Sequence, residues 1–513
     1  MNGAQLLMQN LLANGVDLVV GNPGTSEMQF VSALDSVRGI RGVLGLFEGV
    51  VTGAADGYGR MADKPAATLL HLGPGLGNGL ANLHNARRAH TPIVNIVGEH
   101  ATFHRKYDPP LNSDIESVAH SVSGWVRTMA SAGAISEDVA ACISATRQPP
   151  GQIATLVLPA DIAWGPASGE PVKAQAPAPK RVADRVVDEM AGLLRGSEPT
   201  ALLLNGRALR GQAFQLASAI GKLTGARVLC DTFPPRLERG AGRPRVERLP
   251  YIPQMVLSVL EGVKHLILVA ARAPVSFFAF PHGVSVAVPE GCQVHVLASE
   301  SEDVEDALGA LAGALGAREP DLQSAGRPAP PTGGAIDPET LAAALGAVIP
   351  DGAIVSDESN TTGYLAPMET AGGPQHDWLC LTGGSIGMGL PVATGAALAC
   401  PDRRVIALEA DGSAMYTIQA LWTQAREQLK ITNVILANRS YAILKLEMLR
   451  MGLGEAGPIA KRMLDLTPPV LDFVAMGQSM GVPSCRVTQA DELVNQLRRS
   501  LASDGPTLIE AVF

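Results

Sequence analysis

EADGSAMYTIQALWTQAREQLKITNVILANRSY, Glu409 to Tyr441, decides how the rest of the chain is read. It follows Arg404-Val-Ile-Ala-Leu408, an apolar run that fits a buried parallel strand ending at Ala410-Asp411-Gly412-Ser413. A helical pattern continues to about Leu429, and a second strand, Thr432 to Ala437, ends in Asn438-Arg439-Ser440. Asp411 and Asn438 stand 27 residues apart, each at the carboxyl end of a strand in one β-α-β unit. Open α/β sheets bind their ligands there. A carboxylate, an amide oxygen and a nearby backbone carbonyl suit a hard cation such as Mg2+, which completes its shell with phosphate oxygens and water. The plainer alternative is a turn made by Asp-Gly and a helix cap made by Asn438.

Around this stretch lies a chain of 513 residues, enough for about three domains with full cores. No run reaches the roughly 18 apolar residues of a membrane span. The N-terminus, MNGAQLLMQNLLANG, lacks a basic n-region and reads as an amphipathic helix, so no signal peptide is expected. A net charge of −9 with scattered basic residues argues against nucleic acid and acidic membrane surfaces as partners. The cysteines (Cys142, Cys230, Cys292, Cys380, Cys400, Cys485) are far apart with no CxxC pair. Neither a disulfide framework nor a zinc site is expected, and a reducing cytoplasm fits. Two Pro/Ala/Gly-rich stretches, Trp164 to Lys180 and Gln323 to Asp337, read as linkers. They divide the chain into 1–165, 181–322 and 338–513. Each part alternates short β-like runs with helical ones, which predicts three α/β domains, each a mostly parallel sheet covered by helices on both faces.

In the first part, the strand Asp17 to Gly21 runs into Asn22-Pro-Gly-Thr-Ser-Glu27, with Thr25 or Ser26 as the expected N-cap of the next helix. The run from Gly42 to Phe47 leads to Glu48, flanked by Phe47, Val50 and Val51 at a strand-to-helix junction. A carboxyl group in that apolar setting needs a raised pKa or a dedicated partner; the alternative is an ordinary acid at a helix N-terminus. The strand Ala66 to Leu70 delivers His71 and then Leu72-Gly-Pro-Gly-Leu-Gly-Asn78, whose glycine spacing is not the GxGxxG dinucleotide fingerprint. The strand Pro92 to Val97 ends in Gly98-Glu99-His100, with His104, Arg105 and Lys106 beyond. Histidines near strand ends on one sheet edge are candidates for proton transfer, and otherwise caps or surface groups.

GNPGTSE, FEGVVTGAADGYGRM, HLGPGLGN, GGSIGMGLPVATGAA and DGSAMYTIQALW with ILANRSYAI occur in the order and spacing of thiamine-diphosphate (ThDP) enzymes. The chain resembles the acetolactate synthase large-subunit family and benzoylformate decarboxylase over essentially its full length, with the middle part weakest. The resemblance implies that Glu48 hydrogen-bonds N1′ of the cofactor's aminopyrimidine and so promotes loss of the C2 proton. It assigns Ile386 to the residue that props the bent cofactor, and Gly384 to the carbonyl that accepts from the 4′-amino group. Asp411, the side chain of Asn438 and the carbonyl of Ser440 match the Mg2+ ligands, while Asn360, Thr361, Gly412, Ser413 and Tyr441 match positions around the diphosphate. Because the family binds the pyrimidine on one subunit and the diphosphate on another, a homodimer or homotetramer is implied. The middle domain resembles a Rossmann-like module. In some acetolactate synthases it holds FAD, but Cys230 to Gln254 departs from that pattern, so FAD has no recognisable signature here.

The implied substrate is a 2-oxo acid. His71 takes the place of an active-site histidine of benzoylformate decarboxylase, and Thr25 that of its substrate-facing serine. The second histidine of that enzyme falls near Ala279, with His282 as a nearby substitute and His100 or His104 as further proton relays. The tryptophan that shapes the acceptor pocket in acetolactate synthase aligns with Glu447. Three readings remain: an acetolactate-synthase-like carboligase, a non-ligating decarboxylase of an aromatic or branched 2-oxo acid, and a silent ThDP-binding paralogue. The presence of Glu48, Asp411 and Asn438 weighs against the third.

Overall fold

Three sheets carry the strands of the computed structural model, which describes residues 1–281 and 283–513. His282 lies outside the described residues. The first sheet contains β1 (Leu18–Asn22), β2 (Arg41–Leu44), β3 (Ala66–Leu70), β4 (Ile93–Glu99), β5 (Trp125–Thr128) and β6 (Ile153–Pro159). Their spatial order is β2-β1-β3-β4-β6-β5, parallel throughout. Strands β3, β4 and β6 are buried at every position, as expected for near-continuous apolar runs covered on both faces.

The second part of the chain supplies β7 (Thr200–Leu204), β8 (Arg227–Cys230), β9 (Leu237–Arg239), β10 (Glu247–Arg248), β11 (His265–Val269) and β12 (Gln293–Ala298). Five of these form a parallel sheet in the order β10-β8-β7-β11-β12. The third sheet is built from β13 (Ala353–Glu358), β14 (His376–Cys380), β15 (Val405–Ala410), β16 (Ile431–Ala437), β17 (Ser484–Val487) and β18 (Thr507–Val512) in the order β17-β18-β16-β15-β13-β14. Beyond β14 the sheet takes β9 as an antiparallel edge, with Leu237 opposite Trp378 and Arg239 opposite His376. Division at the two linkers does not anticipate this exchange. The run Leu-Glu-Arg is short and not apolar, yet it covers the bare edge of β14, and the adjoining Arg236 Nε donates to Asp377 Oδ1 at 2.7 Å.

First and third sheets meet through two buried helices, Glu48–Ala62 and Gly389–Ala399. A Cβ at Gly57 would lie 2.1 Å from the Val392 carbonyl oxygen, and one at Gly395 1.8 Å from that of Ala54. Glycine is therefore required where the backbones touch. The single helix expected between Asp411 and Leu429 is two, Asp411–Thr417 and Ala420–Arg426. At the break, Thr417 Oγ1 donates to the Gly387 carbonyl at 2.8 Å, which ties the chain to a neighbouring loop. Among the described residues no helix is long and apolar enough to cross a membrane.

Candidate active site

Strands β15 and β16 pair in parallel up to Ala410 and Leu436, so Asp411 and Asn438 leave the sheet side by side. Asp411 is buried; its Oδ1 accepts from the Gly412 N–H at 2.8 Å and its Oδ2 from the Arg439 N–H at 2.5 Å. Arg439 adopts a left-handed φ of 57°, and the turn it makes brings the Ser440 N–H to Asn438 Oδ1 at 3.0 Å. Asn438 Nδ2 donates to Thr362 Oγ1 at 3.0 Å, which fixes the plane of the amide. Among the described residues no backbone N–H is donated to the Ser440 carbonyl. A carboxylate, an amide oxygen and a carbonyl oxygen thus lie at the ends of two paired strands, a donor set that fits Mg2+. Burial raises the Asp411 carboxyl above the usual range, against the pull of the Arg439 and Gly412 N–H groups. A bound cation would favour the charged form.

The expected diphosphate positions lie around this turn. Asn360, with a left-handed φ of 50°, donates through Nδ2 to Ser413 Oγ at 3.2 Å. A Cβ at Gly412 would lie 2.6 Å from Tyr441 Cε1, so the ring is seated against bare backbone. Thr361 makes no side-chain hydrogen bond among the described residues; the contact to Asn438 comes from Thr362, which the sequence did not single out.

Next to this turn runs the loop Gly383 to Gly389, in which Gly384 and Gly387 take φ of 72° and 97°. Glu358, at the end of β13, holds it: its carboxylate accepts the N–H groups of Gly387 (2.7 Å), Met388 (2.7 Å) and Gly389 (2.6 Å). Glu409 is its register partner on β15, also buried. Burial pushes Glu358 up to about 7, while burial and then the charge of Glu358 push Glu409 well above the carboxylate range. Three N–H donors stabilise the charged form of Glu358, so Glu409 is the member that keeps the proton. Neither residue was predicted; the signal available was an acid inside the apolar run of β15.

The same loop is tied to the first sheet. Asn82 Nδ2 donates to the carbonyls of Gly49 (2.8 Å) and Gly387 (3.2 Å), and Asn85 Nδ2 to that of Ser385 (2.7 Å). Ile386 is partly buried against the core shared by the two sheets. On its other side, the Phe277 ring fills the space a Gly384 side chain would need, 2.5 Å from the hypothetical Cβ. Phe277 stands 5.6 Å from both Tyr251 and Phe278 and 5.9 Å from Phe233, a wall of aromatic rings beside the loop. Glu447 is buried behind it, with Oε1 accepting from Arg450 at 2.6 Å.

At the carboxyl end of the first sheet, Glu48 opens the helix Glu48–Ala62 and is buried. Its dedicated partner is Asn78, whose Nδ2 donates to Oε2 at 3.0 Å. A Cβ at Gly75 would lie 3.0 Å from Glu48 Oε1 and 3.4 Å from His71 Cβ, so the two candidates flank the same glycine. His71 Nδ1 is 2.7 Å from Glu27 Oε2, and Ser26 Oγ donates to Glu27 Oε1 at 2.6 Å. The expected N-cap is corrected: Glu27 accepts the Gly24 N–H at 2.7 Å and closes the turn Thr25–Glu27, so neither Thr25 nor Ser26 caps the next helix. Thr25 is exposed. His100 lies at the end of β4, next to β3, with its Nε2 enclosed and without a partner among the described residues, and its ring edge-on to His104 at 5.9 Å. A cleft of about 1320 Å3 lies elsewhere, between the first and second parts of the chain, lined by Arg88, His90, Arg207 and Arg210 and by none of the residues above.

Comparison with known proteins gives the family. Residues 1–120 match the thiamine pyrophosphate enzyme N-terminal TPP binding domain, and residues 357–511 the C-terminal TPP binding domain. The chain is 54% identical to a Mycobacterium tuberculosis protein provisionally named acetolactate synthase large subunit IlvX, covering 100% of this chain and 99% of that one. It is 29% identical to a Pseudomonas aeruginosa benzoylformate decarboxylase over 98% of this chain and 96% of the relative. Among solved structures, the ThDP-dependent 4-hydroxybenzoylformate decarboxylase of Rhodococcus jostii superposes with a TM-score of 0.87 at 25% identity, covering 100% of this chain and 99% of that one.

Proposed function

The chain belongs to the thiamine-diphosphate-dependent enzymes and is acetolactate-synthase-like, and on that premise we propose that it uses ThDP and Mg2+ to decarboxylate a pyruvate-type 2-oxo acid and join the remaining fragment to a second carbonyl. The observation that carries this reading is the oxygen set of Asp411, Asn438 and Ser440 at the ends of two paired strands. These residues would hold Mg2+, with Asn360, Ser413 and Tyr441 around the diphosphate. Glu358 keeps the Gly383–Gly389 loop rigid, so that the Gly384 carbonyl and Ile386 hold fixed places. Glu48, kept in place by Asn78, would bond N1′ of the pyrimidine. ThDP, when bound, supplies the electron sink for the electrons released as CO2 leaves. His71 and His100 stand at the same sheet end as Glu48 and would exchange protons there.

A homodimer or homotetramer fits this reading, because side chains near the Ser440 turn are apolar and exposed: Leu449, Leu453, Ile459 and Met463. The six free cysteines suit a cytoplasmic location. A second reading, a non-ligating decarboxylase of an aromatic 2-oxo acid, is favoured by the rings of Phe277, Phe278 and Tyr251 beside Gly384. A panel of 2-oxo acids with ThDP and Mg2+, following CO2 and organic products separately, decides between them. Acetolactate from pyruvate supports the carboligase, aldehyde alone supports the decarboxylase, and no product from any acid leaves a silent paralogue.

A further inference from the structure

Glu27 is a buried acid for which the reading above has no task. It sits in the turn after β1, the strand between β2 and β3, so its carboxylate lies between the turns that deliver Glu48 and His71. Three donors converge on its two oxygens. The Gly24 N–H (2.7 Å) and His71 Nδ1 (2.7 Å) meet Oε2, and the Ser26 hydroxyl (2.6 Å) meets Oε1. A backbone N–H can only donate, so Oε2 is an acceptor, and an ionised carboxylate is acceptor-only on both oxygens. Nδ1 must then carry the imidazole hydrogen, which leaves Nε2 with the lone pair. Packing leaves little room for another arrangement. A Cβ at Gly98 would lie 1.6 Å from Glu27 Oε1, and one at Gly24 2.2 Å from His71 Nδ1. The histidine side chain keeps 26% of its surface open, and Gly75 separates its Cβ from the Glu48 carboxylate.

We propose that Glu27 is a positioning residue for the reaction: it holds His71 as the Nδ1–H tautomer and aims Nε2 at the substrate. The proposal rests on the second reading above, the non-ligating 2-oxo acid decarboxylase, in which the carbon that loses CO2 is protonated rather than joined to a second carbonyl. In the step it serves, the protonated Nε2 gives its hydrogen to the carbon that has lost CO2, and the ring, now neutral, regains a proton from solvent. Glu27 Oε2 accepts from Nδ1–H in both forms of the ring.

The test is 15N NMR of the [15N]histidine-labelled protein with ThDP and Mg2+, alongside steady-state CO2 release. The His71 signals are assigned by their loss in His71→Phe. The wild type should show an unprotonated Nε2 in the neutral ring. In Glu27→Gln the amide NH2 faces Nδ1, the tautomer should reverse, and kcat should fall about 100-fold with KM little changed, as for a displaced acid-base group. Glu27→Asp, which keeps an acceptor, should recover the tautomer and most of the kcat. An Nε2–H tautomer in the wild type overturns the proposal without recourse to any variant. A Gln variant with unchanged kcat overturns it too. In both cases the functional reading survives, because the wild type still releases CO2. A wild type that turns over no 2-oxo acid overturns both.

Discussion

At the end of the third sheet, Asp411 and Asn438 are placed side by side by two strands adjacent in sequence and in space. At the end of the first sheet, Glu48, Glu27 and His71 arrive on the separate turns after β2, β1 and β3, which are neighbours only because the sheet is ordered β2-β1-β3. The first arrangement is a local motif whose geometry the backbone sets. The second exists only once the topology has formed, and side-chain hydrogen bonds hold it. A cation site can be built in the first way, because oxygen ligands need little more than convergence. Proton transfer needs defined donors and acceptors at hydrogen-bond distance, and the second arrangement supplies them.

The comparison is broken most severely by Asp411→Ala. Removing the one carboxylate of the oxygen set leaves the diphosphate charge uncompensated, so ThDP retention should be lost while the fold persists. Calorimetry with Mg2+ reads this, and tight ThDP binding by the variant would remove the third sheet's role. A smaller effect separates the sheets by acid. His376, where β14 meets the borrowed β9, titrates near 4 because burial, then Arg239 and Arg403, oppose its charged form. Its Nδ1–H donates to the Pro374 carbonyl at 2.8 Å, and its Nε2 is enclosed with no acceptor among the described residues. The folded value lies below the ordinary one, so this stability is present above about pH 6.5 and is lost as pH falls toward 4, about 3 kcal/mol in all. Urea unfolding between pH 7.5 and 4.5 should show the loss in the wild type and a flatter profile in His376→Asn; equal slopes would contradict it. The smallest effect belongs to Asn78→Ala, which leaves Glu48 without its bond. Turnover should fall about 10-fold, as for loss of one hydrogen bond to a charged group, with ThDP affinity little changed.

The same contrast explains how much the sequence disclosed. Asp411 and Asn438 were singled out because each follows a strand of one β-α-β unit, and Ser440 by resemblance; pairing of those strands brings their ends together. Glu48 was legible as an acid among apolar residues that needs a partner, but Asn78, 30 residues on, could not be named as that partner. Glu27 was passed over for Thr25 and Ser26, because N-cap preference is a local rule and the contact with His71 spans 44 residues. Glu409 was not singled out, although it is an acid inside an apolar strand, and its pairing with Glu358 depends on β15 lying against β13. β9 was invisible: three residues without apolar alternation leave the middle part of the chain to finish another sheet.

The central claim is that Glu48 activates a cofactor held by Asp411 and Asn438. The direct measurement is exchange of the C2 proton of bound ThDP, quenched in deuterated water and read by NMR, in the wild type and in Glu48→Gln. Gln keeps a hydrogen bond but relays no proton to N1′, so exchange should slow and turnover should drop by about two to four orders of magnitude, with near-normal folding. If Glu48 only begins a helix, the substitution should cost at most about 1 kcal/mol of stability. Exchange in the variant would then match the wild type, and that result would contradict the account.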